Sequence, residues 1–249
     1  MKNQNFNKGL TLTALGSFWW GVIGVVYFKY ISFAGPIEVV IHRCIWTSAV
    51  LIITTFYFSK WNIFFEIISN RKKLVWLFFS GLLIFVNWAT WIYAVGTEKI
   101  IDASFGYFIM PILSVFLGYI FYNEKINRKR SISIILVLIS ILFLMAVNYN
   151  SIPWVGIIVA FSWGFYNLLR KKIDVDTDVG LLIESLFILP FALFSFYLIF
   201  QNNLNDFSLA SPSLMLIFML AGPMTVIPLF MYVRGVELCG LGPTGMVFY

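Results

Sequence analysis

Long apolar stretches separated by short polar connections make up nearly the whole chain. A transmembrane helix needs about 20 mainly apolar residues to cross the hydrocarbon core, and stretches of that length recur along the sequence. The pattern predicts at least eight transmembrane helices, numbered 1 to 8, near residues 9–29, 37–58, 74–95, 103–122, 131–148, 152–169, 179–200 and 213–233. The connections are too short for a soluble domain, so the predicted fold is that of an all-α membrane protein.

A ninth apolar stretch begins at Leu238 and reaches Tyr249 after about half the length that a span requires. A backbone that stopped within the bilayer would leave its last carbonyl groups without hydrogen-bond partners. We therefore expect the chain to be a fragment that lacks the rest of helix 9 and a tenth helix.

The composition agrees with a lipid environment, since 61% of the residues are hydrophobic, 11% are charged and the mean hydropathy is +0.90. Every Lys and Arg except Lys29, Arg43 and Lys99 lies at the N-terminus or after an even-numbered helix. By the positive-inside rule, that side and the N-terminus are cytoplasmic. We expect a multi-pass protein of the bacterial inner (plasma) membrane, and we attribute the net charge of +6 to topology and not to a nucleic-acid partner.

Two sets of residues recur at nearly equal spacing and suggest an internal duplication. Four residues of helix 1 return 143 positions later in helix 6: Phe18, Trp20, Gly21 and Lys29 match Phe161, Trp163, Gly164 and Lys172. Three others return after 139 positions: Gly96, Glu98 and Gly106 match Gly235, Glu237 and Gly245. We predict a first five-helix repeat over 1–149 and an incomplete second repeat over 150–249. An odd number of crossings would invert the second copy, as in many secondary transporters. The alternative is chance similarity among Gly- and Trp-rich helices.

Short motifs along both predicted repeats carry a family resemblance. They are Phe18-Trp19-Trp20-Gly21, Glu38 to Arg43 with Trp46, Ala103 to Phe108 with Pro111, Arg170 to Ile173, and Leu182-Ile183-Glu184. In these positions the chain resembles the RarD branch of the EamA family, within the drug/metabolite transporter superfamily. The resemblance implies ten helices in two inverted five-helix repeats and a permease of the plasma membrane.

Three ionisable residues in helix 2 are candidates for substrate binding or coupling. Ionisable groups at membrane depth are costly and usually face a cavity or a partner. Glu38 and His42 lie one helical turn apart on a shared face, and Arg43 follows directly. We expect Glu38 or His42 to exchange a proton and Arg43 to attract an anionic substrate. The alternative is that Arg43 reaches to the outer interface and Glu38 merely pairs with it.

Glu184 is the only charged residue in the apolar run 179–200. We expect it to act at the substrate site or at a gate, and the alternative is an interfacial carboxylate close to the basic run 170–172. Polar and aromatic residues elsewhere could complete a mostly apolar pocket with a few placed polar groups. These candidates are Asn87, Trp88, Tyr107, Trp163, Tyr166 and Asn167. Each of them could instead belong to the packed core.

Together these features predict a secondary-active carrier for small organic metabolites or drug-like molecules, and the family resemblance implies export as its direction. It would work by alternating access on a proton or substrate gradient, because the sequence has no Walker-type phosphate loop. A single histidine, scattered carboxylates and the lack of metal-ligand spacing argue against an enzyme, a metal site and a cofactor. A membrane sensor or a channel-like subunit remains the alternative. The expected partners are the substrate, protons and lipid, and a homodimer is a candidate assembly.

Overall fold

The computed structural model describes residues 2–148, 153–209 and 211–247, and these residues form helices and their connections without a strand. The long helices agree with the predicted ones in number and order. Their bounds are α1 Lys2–Phe18, α2 Gly35–Tyr57, α3 Arg71–Gly96, α4 Ile100–Tyr122, α5 Arg128–Asn148, α6 Trp154–Lys172, α7 Thr177–Gln201, α8 Ala221–Cys239 and the short α9 Leu241–Met246.

Five helical segments of the described chain are long and apolar enough to cross a membrane. The first, Gln4–Tyr57, contains both α1 and α2, and the other four correspond to α3, α4, α7 and the region of α8. In α5, the part Ser131–Phe143 is a shorter apolar helix. The prediction of an all-α membrane protein is therefore confirmed.

Helix α6 is not among these candidate spans. The helix carries Trp163, Asn167 and Arg170, and all three side chains are buried inside the protein. Its exposed side chains include Trp154, Phe161 and Phe165, while the buried face against the other helices carries the polar side chains that lower its hydropathy.

The first predicted helix is not a single regular helix. After α1 the chain continues as a π-helical segment, Trp19–Gly24, and then as an α-helix, Val25–Tyr30. A π-helical segment inserts an extra residue per turn and redirects the side chains around it, often at functional sites. The apolar periodicity alone did not predict this segment. The chain then reverses through the 3-10 turn Ile31–Ala34 and Gly35, whose φ of +75° favours glycine.

Two short helices were not predicted as separate elements. The helix Trp61–Ser69 lies between α2 and α3. Asn70 then begins α3, because its side chain accepts a hydrogen bond from the backbone nitrogen of Lys73 at 3.1 Å. The helix Pro212–Met219 precedes α8, so predicted helix 8 is divided at Leu220.

Helices from the two predicted repeats pack closely against each other. Helix α8 packs against α1 and α2, and α7 packs against α2 and α3. Helix α6 packs against α3 and α4, and the short α9 packs against α4. At the contact of α4 with α6, a β-carbon on Gly106 would overlap the backbone of Gly156. Small residues allow this close backbone approach, as in many membrane helix pairs.

The two ends of the bundle differ in charge. We call the basic end the one that carries Lys60, Lys171 and the start of α3, where side chains of several connections meet. The opposite end carries the turn 31–34 and the connection between α3 and α4. On the outer surface of the bundle, large apolar side chains of α5 such as Leu136 and Phe143 are exposed, as expected for a surface in contact with lipid.

Candidate functional site

A cavity of about 350 Å³ lies among α1, α2, α3, α4 and α6. It occupies the half of the bundle toward the opposite end, because its lining residues come from the halves of α2, α3 and α4 near that end. Six of the residues that line it are aromatic: Trp20, Phe28, Trp88, Trp91, Tyr107 and Trp163. Five of the ten predicted site residues line it: Arg43, Asn87, Trp88, Tyr107 and Trp163.

The π-helical segment supplies one wall of this cavity through Trp20 and Gly21. The ring of Trp20 meets that of Trp163 edge to face, with centroids 5.0 Å apart. Trp163 also lies 5.1 Å from the ring of Tyr232 in α8. These contacts hold the aromatic wall in place, since edge-to-face pairs are favoured by the quadrupoles of the rings.

Arg43 is the only charged residue among those that line the cavity. Its side chain is 4% exposed, and its guanidinium carbon lies 4.8 Å from the ring centre of Phe28 and 4.7 Å from that of Trp88. No hydrogen bond or ion pair joins it to another described residue, and its Nε is buried without a partner. The structure therefore places a buried cation against two aromatic faces.

Asn87 connects the cavity wall to α6. Its Nδ2 donates to the carbonyl oxygen of Val159 at 3.0 Å and to Oγ of Ser162 at 3.2 Å. Both donor hydrogens of the amide thus have a partner, and α3 is fixed against α6 beside the cavity.

A second polar cluster surrounds Glu184 between the cavity and the basic end. Ser80 donates to Oε1 of Glu184 at 2.5 Å, and the hydroxyl of Tyr166 donates to Oε2 at 3.2 Å. Nη1 of Arg170 lies 3.5 Å from Oε1, and Nη2 donates to the carbonyl oxygen of Thr177 at 3.1 Å. All of these side chains are buried. The cluster joins α3, α6 and α7, because each helix contributes one or more of its members.

Tyr166 links the two regions, since its ring lies 5.6 Å from that of Trp163. Asn167 is buried beside it, and neither atom of its side-chain amide has a hydrogen-bond partner among the described residues. An amide in this state is costly in a packed interior. Of the predicted residues of α6, Trp163 thus lines the cavity, Tyr166 belongs to the Glu184 cluster, and Asn167 joins neither through a hydrogen bond.

Glu38 and His42 lie apart from both regions, at the opposite end. The carboxylate of Glu38 accepts hydrogen bonds from the backbone nitrogens of Asp206 and Phe207, each at 2.8 Å. Nε2 of His42 lies 3.6 Å from Glu38, and Nδ1 accepts from Nε1 of Trp46 at 3.2 Å. In this arrangement the pair holds the connection between α7 and the helix Pro212–Met219.

A layer of ion pairs at the basic end was not predicted from the sequence. Lys60 lies 3.0 Å from Asp176 and 2.7 Å from Asp178, and these hydrogen bonds raise the pKa of Lys60 despite its partial burial. Partial burial would raise the pKa of Asp176, but hydrogen bonds with Asp178 and Lys60 and the charge of Lys60 lower it. The sequence signal was present, because both acids stand just before helix 7, but the charges there were interpreted only as topology.

Glu124 completes this layer after α4. Its carboxylate pairs with Lys171 and accepts from the backbone nitrogens of Leu241 and Gly242 at 2.9 and 2.8 Å. Partial burial would raise the pKa of Glu124, but the hydrogen bonds and the charge of Lys171 lower it. Since Leu241 and Gly242 begin α9, Glu124 stabilises the positive end of that helix's peptide dipoles.

Comparison with known proteins gives the family. Residues 7–146 match the EamA-like transporter family. An uncharacterized transporter of Bacillus subtilis, YojE, is 31% identical over 252 residues that cover 100% of this chain and 83% of its own. The protein RarD of Escherichia coli is 30% identical over 249 residues, with the same two coverages of 100% and 83%. An uncharacterized transporter of Vibrio cholerae is 31% identical over 99% of this chain and 81% of its own.

The family match covers more than half of the chain, and the relatives match nearly all of it. The apolar helices, the buried polar residues and the internal cavity agree with this likeness. This chain belongs to the EamA-like transporter family and is a multi-pass membrane transporter related to RarD.

Proposed function

We propose that the protein is a secondary-active carrier of small organic metabolites or drug-like molecules and that it works by alternating access. The observation that carries the proposal is the position of the cavity. It lies toward the opposite end, while the Glu184 cluster and the ion pairs of Lys60 and Glu124 close the bundle toward the basic end. A carrier in one of its two states needs this combination of one accessible side and one closed side.

The packing of the helices supports two inverted repeats. Exchanging helices 1 with 6, 2 with 7, 3 with 8 and 4 with 9 turns the contact of α1 with α8 into that of α6 with α3. It also turns the contact of α2 with α8 into that of α7 with α3, and it maps the α2–α7 and α4–α9 contacts onto themselves. Trp20 and Trp163, which are equivalent in the predicted duplication, touch each other at the cavity. Such a pseudo-symmetric pair of halves can exchange two shapes around one central site.

The distribution of basic residues supports an orientation. If the basic end faces the cytoplasm of a bacterial inner membrane, as the positive-inside rule requires, the cavity faces outward. The described state is then the outward-facing one. Export would require the basic end to open and admit substrate from the cytoplasm before this state forms.

Glu184 is the group that we propose for coupling to protons. It is a buried carboxylate between the cavity and the basic end, and its partners Ser80 and Arg170 come from different predicted repeats. A change of its protonation would alter contacts between the two halves, which is what a coupling group must do. His42 is a weaker candidate, because it lies buried with Glu38 against the connection that follows α7 and not at the cavity.

The proposal is tested by labelling single cysteines from each side of the membrane. In a background with Cys44→Ala and Cys239→Ala, Ser104→Cys places a thiol on the cavity wall, and Ser114→Cys places one deeper along the same helix, where the side chain is buried. A membrane-impermeant maleimide added at the opposite end should label Ser104→Cys and spare Ser114→Cys. In inverted vesicles Ser104→Cys should react more slowly, through the rarer state.

Two results would contradict the proposal. Equal labelling of both thiols from the opposite end would mean that no barrier lies below the cavity. Labelling of Ser104→Cys from one side only, under every gradient applied, would favour a sensor with a fixed cavity over a carrier.

A further inference from the structure

The cavity has an unbalanced charge. Arg43 is the one charged residue among the described lining residues, and no carboxylate lines the cavity with it. The described ionisable groups that act on its guanidinium are Cys44, Tyr107 and Tyr27, none of which is an acid charged at neutral pH. Two buried acids of the bundle are engaged elsewhere: Glu38 binds backbone nitrogens at the opposite end, and Glu184 pairs with Arg170.

A second buried arginine makes the contrast clear. Arg170 is 1% exposed and has both a carboxylate and a backbone carbonyl oxygen within reach. Arg43 is 4% exposed and has only the faces of two aromatic rings. A buried charge is normally paired, since an uncompensated one is costly. Among the described residues, the structure thus leaves the donors of one buried guanidinium without an anionic group.

The shape and chemistry of the wall restrict that group further. A volume of about 350 Å³ is at the lower end of the range for small-molecule pockets. The rings around Arg43 present flat apolar faces, and the faces of Phe28 and Trp88 are already occupied by its positive charge. A cationic ligand would be repelled by the same charge, and a zwitterion would find no acid on the wall for its ammonium group.

We propose that the cavity binds a small organic monoanion whose carboxylate is held by the two terminal nitrogens of Arg43 and whose flat apolar body lies against the aromatic wall. The planar fork of a guanidinium matches a carboxylate with two parallel hydrogen bonds. This inference rests on the proposed carrier function, and it names the class of substrate that the carrier takes.

The test uses three probes that share one skeleton and differ in charge: 3-phenylpropanoate as the anion, 3-phenylpropanamide as the neutral amide and phenylalanine as the zwitterion. Binding to the purified protein in nanodiscs is followed by quenching of intrinsic fluorescence, because Trp20, Trp88, Trp91 and Trp163 line the cavity. The wild type should bind the anion about tenfold or more tightly than either analogue, as expected for a hydrogen-bonded charge pair.

Variants then assign the preference to one residue. Arg43→Gln should remove the preference for the anion, and Arg43→Lys should reduce it, because the charge remains while the fork is lost. The matched control is Arg234→Gln, which removes an exposed arginine that pairs with Glu237 and should leave the preference unchanged. Thermal unfolding of each variant shows whether it is folded, and Arg43→Lys provides the comparison if Arg43→Gln is not.

Each outcome decides the inference. Equal binding of anion and amide by the wild type, no binding of the anion, or a preference that survives Arg43→Gln would overturn it. Exchange of radiolabelled 3-phenylpropanoate or its amide across proteoliposomes separates this inference from the proposed function. Exchange of the amide without preference for the anion would leave the carrier standing and remove the substrate class. Binding of the anion through Arg43 without exchange of either probe would support the substrate class and contradict the proposed carrier function.

Discussion

The two buried arginines should contribute differently to the stability of the protein. Replacing Arg170 should lower the free energy of unfolding, whereas replacing Arg43 should leave it unchanged or raise it. Arg170 is paired with Glu184 at 3.5 Å, and both are almost completely buried. Arg170→Met leaves that carboxylate without its cation, and breaking a buried pair in this way costs about 3–5 kcal/mol of unfolding free energy. Ser80 and Tyr166 still donate to the carboxylate, which places the expected loss toward the lower value.

Arg43→Met removes a buried cation that has no anionic partner among the described residues. Burial of one ion costs several kcal/mol, and each of two desolvated cation–π contacts returns about 2 kcal/mol. The methionine keeps most of the apolar contact with Phe28 and Trp88. The balance predicts no loss, or a gain on the order of 1 kcal/mol, in the ligand-free protein.

The assay is thermal unfolding of the purified variants in one detergent, followed by the fraction that remains monodisperse after heating. Arg170→Met should unfold at a clearly lower temperature than the wild type, and Arg43→Met at the same or a higher temperature. Arg234→Gln, at an exposed position, controls for the loss of a positive charge. An equal loss of stability in both methionine variants would refute the reasoning, since it would mean that Arg43 is paired as Arg170 is.

Three further substitutions have defined outcomes. Gly106→Ala should lower the unfolding temperature, because the new β-carbon would overlap the backbone of α6. Gly21→Ala should not lower it, because a β-carbon there meets open space. Thermal unfolding curves of the two variants test this difference. Glu124→Gln should destabilise the protein at neutral pH, and the difference from wild type should vanish in acid. The reason is that the pKa of Glu124 is lowered in the folded protein, so its contribution to stability is lost as the pH falls through that lowered value. A difference in stability that grows in acid would contradict this sign. Glu38→Ala should speed limited proteolysis within 202–211 by removing two backbone hydrogen bonds, and an unchanged cleavage rate would show that the connection is held by other contacts.

The helices could be predicted from sequence because lipid imposes one simple rule on them. Each spanning helix must be long and apolar, and the eight predicted stretches correspond to α1 through α8. The π-helical segment Trp19–Gly24 could not be predicted in this way, because apolar periodicity over six residues does not distinguish an inserted residue. The helix Trp61–Ser69 was missed because it is too short to resemble a span.

The candidate site was predictable by residue type more than by position. Arg43, Asn87 and Trp88 were chosen because they are polar or aromatic residues in apolar helices, and they line the cavity; their part in binding stays a prediction. Glu38 and His42 do not line the cavity, because Glu38 accepts hydrogen bonds from the backbone nitrogens of Asp206 and Phe207 in the connection after α7. A contact between residues so far apart in the chain leaves no pattern in either segment.

The layer of ion pairs at the basic end was not predicted for a related reason. Its members come from connections, where charge is usually a sign of orientation. Only the fold brings the end of α2 next to the start of α7 and so reveals the layer as a closed end of the bundle.

The central claim is that the basic end must open for transport, and one cross-link tests it directly. A β-carbon on Gly9 would lie 3.1 Å from that of Cys239, where α1 and α8 meet at the basic end. Disulfides span about 3.5–4.5 Å between β-carbons, so Gly9→Cys should oxidise with the native Cys239 after a small shift.

The measurement is exchange of radiolabelled 3-phenylpropanoate by proteoliposomes that contain Gly9→Cys, before and after oxidation. The account predicts that oxidation stops exchange, that a reductant restores it, and that Gly9→Cys with Cys239→Ala is insensitive to both treatments. Undiminished exchange through the oxidised, cross-linked protein would contradict alternating access at this end.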